Sequence, residues 1–211
     1  MATRKSPTPA ITGRKAAYVA RNRVALIKAA QHVLAEIGPE ASIEEFAEAA
    51  QISVSTIYKH FENKDALIDA AFVEAFSDWE AWAHEVSSKV KDPLEELVVP
   101  MRLFLRLKRT HPLYAGMSAR NFPNLGKYLG ANTENLQMHV KELHTAKIIT
   151  CDNIPIRIRS FSASLVAALG DQLFNPHAKE SDGDTAIEVI LDLLSIPPAK
   201  AKKLAHSPLA I

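Results

Sequence analysis

Residues 42–64, SIEEFAEAAQISVSTIYKHFENK, constrain the chain more than any other stretch, because they hold two helix starts so close together that only short helices and a tight turn fit. Ser42 and Glu45 stand three apart just ahead of Phe46 and Ala47. At that spacing a serine and a glutamate satisfy each other's backbone amides at a helix N-terminus. A helix therefore starts at Ile43, with Ile43, Phe46, Ala47 and Ala50 on one face and Glu44, Glu45 and Glu48 outside. Ser53 is the next capping residue, and Ile57 and Phe61, four apart, give a second helix one buried side. Its other sides carry Ser55, Thr56, Tyr58, Lys59 and His60. The pattern is a helix-turn-helix.

Those outward residues all donate hydrogen bonds and several also accept, as a helix lying in a major groove and against phosphates requires. Residue types alone leave open an ordinary polar face. The run Thr56-Ile57-Tyr58-Lys59-His60-Phe61-Glu62-Asn63-Lys64-Asp65-Ala66-Leu67 resembles the signature of the TetR family of bacterial transcriptional repressors. Upstream, residues 26–30 (LIKAA) and 34–38 (LAEIG) are similar to that family's first helix, so the likeness covers residues 24–72. Two positions depart from it. Gln51 stands in the turn where the family usually has glycine, and Ile37 where it is usually polar.

The resemblance implies an all-α protein: an N-terminal three-helix helix-turn-helix domain followed by a C-terminal helical ligand-binding and dimerisation domain. It also implies a repressor that binds a double-stranded DNA operator as a homodimer. Lys59 lies opposite the buried Ile57–Phe61 line and has the reach to read a guanine edge, with Ser55 a weaker second reader. Ser42, Ser53, Thr56, Tyr58, His60 and Lys64 are the expected backbone contacts, by resemblance and by their place at helix N-termini or on the groove-facing helix.

Composition narrows the rest. A chain of 211 residues with 47% hydrophobic content can bury real cores. A net charge of +1 gives no argument from global basicity, so the nucleic-acid case rests on local charge. No acidic residue precedes Glu36, whereas Arg4, Lys5, Arg14, Lys15, Arg21, Arg23 and Lys28 are all basic. The single Cys151 excludes an intrachain disulfide or a multi-thiolate metal site. No apolar run reaches the length of a membrane span and no secretory core is present, so a cytoplasmic protein without a membrane partner is expected.

In chain order, residues 1–17 read as a basic flexible arm, which either reaches DNA or solubilises the chain. Residues 18–64 form the helix-turn-helix domain, residues 65–198 the effector and dimerisation domain, and residues 199–211 a tail. Expected helices run over 18–37, 64–91 and 93–110, the last bent by Pro100. Residues 111–130 are broken by proline and glycine. Further helices follow from a cap at Asn132 to 147, over 155–174, and from Asp184 to 195.

The last two helices are apolar around much of their surface. Phe161, Leu165, Ala168 and Leu169 line one, and Ile187, Ile190, Leu191 and Leu194 the other. Such helices want burial on more than one side. The resemblance implies that the pair forms a four-helix bundle with its copy, while burial within one subunit stays open. Trp79, Trp82, Met101, Phe104, Leu105, Tyr114, Phe122, Tyr128 and Met138 supply the aromatic and flexible surface of an expected pocket for a small, largely apolar effector. His139 and His144 are five apart, which does not stack two metal ligands on one helix face, and no glycine-rich phosphate loop or G-x-S-x-G occurs. The expectation is a non-enzyme without metal or cofactor. Two alternatives remain: a helical small-molecule carrier or enzyme with a vestigial helix-turn-helix, and a DNA-binding regulator without an effector.

Overall fold

The computed structural model describes the backbone of residues 9–209, and the side chains of those residues apart from 9–16, 18, 19 and 129–132. Its elements are helices throughout, with no strand among the described residues. Helix α1 spans Pro9–Glu36, so the expected arm divides: 1–8 lie outside the described residues and 9–17 continue α1. Helix α2, Ile43–Ala49, starts on the reciprocal Ser42–Glu45 cap and buries Phe46 and Ala47. Its end is a Schellman turn, in which Ile52 N donates to Ala47 O (3.0 Å) and Gln51 N to Glu48 O (2.9 Å). That turn requires a left-handed residue, and Gln51 adopts φ 54° there. Helix α3 is a single turn, Val54–Ile57, which buries Ile57.

Helix α4, Lys64–Ser87, begins on Asn63, whose side chain accepts from Ala66 N, and ends four residues earlier than expected. At 1.5 Å per residue it reaches roughly 36 Å, from the helix-turn-helix into the body of the protein. Helix α5, Pro93–Phe104, passes through Pro100 and stops at Leu105, after which α6, Leu107–Thr110, is a separate short turn. Helix α7 covers Pro112–Arg120 and leads through a 3-10 turn, Phe122–Asn124, into α8, Leu125–Thr145. Asn132 therefore lies inside α8 and is not its cap. Two glycines in the first turns of α8, Gly126 and Gly130, had read as breakers, but a helix packed along one side tolerates the roughly 1 kcal/mol that each costs.

Helix α9, Ile154–Phe174, has its proline in the first turn. Helix α10, Glu180–Ile190, starts a turn earlier than expected and tightens into a 3-10 turn, Leu191–Leu194. The expected tail contains α11, Pro198–His206, whose Ala201, Leu204 and Ala205 are buried. Pro198 is its first helical residue, a position where the missing N–H costs nothing.

Helix α1 packs on both α7 and α4 where the halves of the molecule meet. Gly116 of α7 rests so closely on α1 that a Cβ there would lie 3.1 Å from the Ala35 Cβ. Gln31 Nε2 donates to Ala71 O at 3.2 Å in the buried seam between α1 and α4. A buried ionic cluster ties α5 to the C-terminal helices. Arg102 and Arg106 both donate to Asp184, which the sequence reading placed at a helix start and which lies one turn inside α10.

Phe161, Leu169, Ile187, Ile190, Leu191 and Leu194, expected at the dimer interface, are at most 5% exposed within the single chain. Their burial needs no partner. Leu165 and Ala168 are half-buried against the same core. The apolar residues left outside on these helices are Ile156 (58% exposed), Phe174 (56%) and Val189 (69%), together with Ala163 and Ala167. Periodicity marked apolar helices correctly, but it cannot say which of two apolar faces meets the chain's own core.

Candidate nucleic-acid interface and interior cavity

The outer side of α3 and the turn after it present Ser53, Ser55, Tyr58 and Lys59 to solvent, with Thr56 and His60 half-buried. Ile57 (0% exposed) and Phe61 (6%) anchor this segment from beneath. The Ser53 hydroxyl does not cap α3; it lies 2.9 Å from both the Ser55 and Thr56 hydroxyls. These three hydroxyls satisfy one another at the start of the helix, where phosphate oxygens could take over the same protons. The Arg23 guanidinium sits 5.0 Å above the Phe61 ring and so brings an exposed cation of α1 beside the recognition segment. Sequence reasoning did not assign Arg23. Only its place in an acid-free stretch hinted at it, because the Phe61 contact is tertiary.

Two of the expected contact residues have internal work. The Ser42 hydroxyl donates to Glu45 Oε2 (2.9 Å) and accepts from Glu45 N (3.3 Å), so it is committed to the start of α2. The bonds from the Ser42 backbone and side chain, and then the Lys64 charge, hold the Glu45 carboxyl below the usual carboxylate range. Lys64 Nζ donates to Pro39 O (2.9 Å) and Ala41 O (3.0 Å), which leaves one of its three protons free. Lys64 thus ties the α1–α2 connection to α4.

In the body, a cavity of about 290 Å³ opens between α4, α5, α8 and α9. Helix α4 contributes Phe76, Trp79, Glu80, Ala83, His84 and Ser87, a 3–4 spacing that puts all six on one side. Helix α5 adds Glu96, Leu97, Pro100, Met101 and Phe104, and α8 adds Thr133, Asn135, Leu136 and His139. Helix α9 closes it with Phe161, Ser162, Leu165 and Val166. Phe161 and Leu165, expected between subunits, therefore belong to the cavity wall.

Of the nine residues expected around an effector, Trp79, Met101 and Phe104 line this space. The other six are elsewhere, each for a visible reason. Trp82 packs on His111 (4.8 Å between rings), and Leu105 faces the close approach at Gly183. Tyr114 is buried, and burial raises its pKa well above a free phenol. Phe122 fits over Gly170 and against Phe174 (5.2 Å). Tyr128 stacks on Phe72 (4.5 Å), and Met138 is 56% exposed. Aromatic content found the region, whereas lining depends on helix rotation. The polar wall residues Glu80, His84, Glu96 and His139 were missed; the repeat of Phe76, Glu80, Ala83 and Ser87 along one face of α4 could have marked the first two, and nothing local marks the others.

Helix α4 belongs to both places. Lys64 is held beside the helix-turn-helix, and Trp79, fifteen residues or roughly 22 Å further along, walls the cavity. Between them Asp69 accepts from Lys127 Nζ (2.6 and 2.7 Å) and from Tyr128 Oη (3.0 Å), which fastens α8 to α4. The Tyr128 hydroxyl is pushed up to about 12 by burial and by the adjacent Asp69 carboxylate, so it stays a donor.

No curated protein matches this sequence significantly. Residues 26–71 match the family described as bacterial regulatory proteins, tetR family. Among solved structures the chain is similar to RolR in complex with resorcinol, at 23% identity and a TM-score of 0.71, covering 93% of this chain and 98% of that one. It is similar to a TetR-family regulator from Rhodococcus sp. at 15% identity and a TM-score of 0.71, covering 83% and 99%. A third likeness is to the fatty acid degradation regulator FadR from Bacillus halodurans, at 17% identity and a TM-score of 0.67, covering 90% and 97%. No described helix is long and apolar enough to cross a membrane. The chain carries the helix-turn-helix of the TetR family of bacterial regulatory proteins on an all-helical body with the fold of that family's regulators.

Proposed function

We propose that this chain is a ligand-responsive repressor that binds a palindromic operator as a homodimer and is released when a small effector fills the interior cavity. One observation carries the reading. A single helix, α4, is anchored at one end beside the helix-turn-helix and forms a wall of the cavity at the other. A ligand that favours one position of α4 then favours one spacing of the recognition segments. The apolar residues left outside on α9 and α10, Phe174 and Val189 foremost, support a partner helix pair there. A two-fold axis through such a pair gives two recognition segments and an operator that is an inverted repeat. A cavity of about 290 Å³ favours this reading over a regulator without effector, and is of the size that suits a one- or two-ring molecule such as the resorcinol bound by RolR.

The test is selection of binding sites from random duplexes with the full chain. An inverted repeat is the expected product. Lys59→Ala should relax preference at one base position per half-site, by about 1–3 kcal/mol. Recovery of no enriched sequence would favour a carrier or enzyme in which the helix-turn-helix is vestigial.

A further inference from the structure

Helix α1 brings to the recognition segment a kind of charge that the segment itself is short of. Between residues 24 and 71 the chain has eight acidic residues against three basic ones, Lys28, Lys59 and Lys64. Lys64 is tied to Pro39 O and Ala41 O, and Lys28 is exposed on α1. Lys59 is then the one free lysine of the recognition segment, a small positive charge for a ligand whose phosphates supply most of the binding. Arg23 stands just before this stretch. It is exposed, and its guanidinium lies 5.0 Å from the centre of the Phe61 ring, where the recognition segment ends. Arg23 makes no ion pair or hydrogen bond among the described residues, not even with Glu62 next to Phe61.

The ring fixes the place of the guanidinium, and the N–H donors of the group stay without an oxygen acceptor. A long side chain held in this way has lost part of its freedom before any ligand arrives, so it binds at a smaller entropic cost than a free one. Its planar fork matches two oxygens of one phosphate. A segment lying in a major groove has a phosphate strand on either side, so a cation at its edge meets phosphate and not a base. We propose that Arg23, seated on Phe61, binds a backbone phosphate of the operator and so fixes how the recognition segment sits in the groove. This rests on the reading of the helix-turn-helix as a DNA-binding surface, and it adds a contact from α1 that lies outside the family-matched residues 26–71.

The probe is a mixed-sequence duplex of about 30 base pairs, long enough for two half-sites one or two helical turns apart, titrated with the full chain from about 50 to 200 mM salt. A phosphate contact shows on any sequence as slope in log affinity against log salt, about 0.9 per contact. Arg23→Met keeps an apolar cover on Phe61 and removes the charge, so the slope should fall by about 0.9 for each subunit bound. Lys28→Met removes the same charge about 140° around α1 from Arg23 and should leave the slope at the parent value. Arg23→Lys should keep the slope and bind more weakly, since the charge stays and the fork is lost. If Arg23→Met does not fold, Arg23→Gln carries the comparison. An unchanged slope on loss of the Arg23 charge, or an equal fall in Lys28→Met, overturns the phosphate contact and leaves the DNA-binding reading standing. A parent chain that binds no duplex overturns that reading itself.

Discussion

Replacing Asp184 by asparagine should destabilise the protein by about 3 kcal/mol, the lower end of the range for removing one partner of a buried ion pair. Asp184 is 8% exposed, and Arg102 and Arg106 are 3% and 6% exposed. Its carboxylate accepts from Arg102 Nε (2.9 Å) and Nη2 (3.4 Å), and from Arg106 Nη2 at 2.9 and 2.8 Å. Asparagine keeps one acceptor and turns an NH₂ toward a guanidinium. The lower end applies because both arginines keep other acceptors: Ser207 O for Arg102 (2.8 Å), and Arg102 O (2.9 Å) and Glu180 (3.1 Å) for Arg106. Glu180 is the internal control. It pairs with Arg106 and Arg109 but is 44% exposed, so Glu180→Gln should cost no more than about 1 kcal/mol.

Urea unfolding at one fixed protein concentration measures both, since dimerisation would otherwise shift the midpoint. A pH series adds a signed check. Burial alone would push the Asp184 carboxyl up, but the hydrogen bonds and charges of Arg106 and Arg102 outweigh it and hold the pKa below the usual value. A depressed folded-state pKa stabilises above the unfolded value of about 3.9 and loses that stabilisation as pH falls through the folded value. The gap between the parent and Asp184→Asn should therefore be full at neutral pH and close below about pH 4. A neutral-pH cost under about 1 kcal/mol, or a Glu180→Gln cost as large as that of Asp184→Asn, would refute this account of the cluster.

Gln51→Gly should raise stability by about 0.5–1 kcal/mol in the same unfolding assay, because Gln51 holds φ 54° where glycine meets little steric cost. Lys64→Ala should lower stability by about 1–2 kcal/mol through loss of the bonds to Pro39 O and Ala41 O, and a salt slope of DNA binding reduced by about one contact without that loss would restore Lys64 as a phosphate ligand. Val189→Glu should yield monomers in sedimentation at micromolar concentration with the far-UV spectrum intact, since Val189 is 69% exposed in the single chain. A variant that stays dimeric would move the interface elsewhere.

The helix-turn-helix was legible because its determinants are local. The Ser42–Glu45 cap, the Asn63 cap and the Ile57–Phe61 pair act over three or four residues, and each is present as the sequence implied. The body was legible as helices but not as faces. Phe161, expected at a partner subunit, lines the cavity, because a stripe fixes which residues share a side and not what that side meets. Helix α11 was hidden by Pro197-Pro198, and the early start of α8 by Gly126 and Gly130. At α8 tertiary packing overrides a weak local preference, whereas at α11 Pro198 occupies the first helical position, which suits proline. The Arg102–Arg106–Asp184 cluster joins residues up to 82 apart in sequence and left no local mark at all.

The central claim is that the cavity and the helix-turn-helix are one coupled system through α4. It is tested most directly by a closed thermodynamic cycle on a small molecule that titration of tryptophan fluorescence shows to bind: affinity for the selected operator with and without that ligand at saturation, and affinity for the ligand with and without saturating operator. Linkage requires the two factors to be equal, and a repressor released by its effector requires both to be losses, of about 5–150-fold in the usual range of coupling. Operator and cavity ligand binding independently, each unchanged by the other, would show a DNA-binding protein with a pocket and contradict the claim.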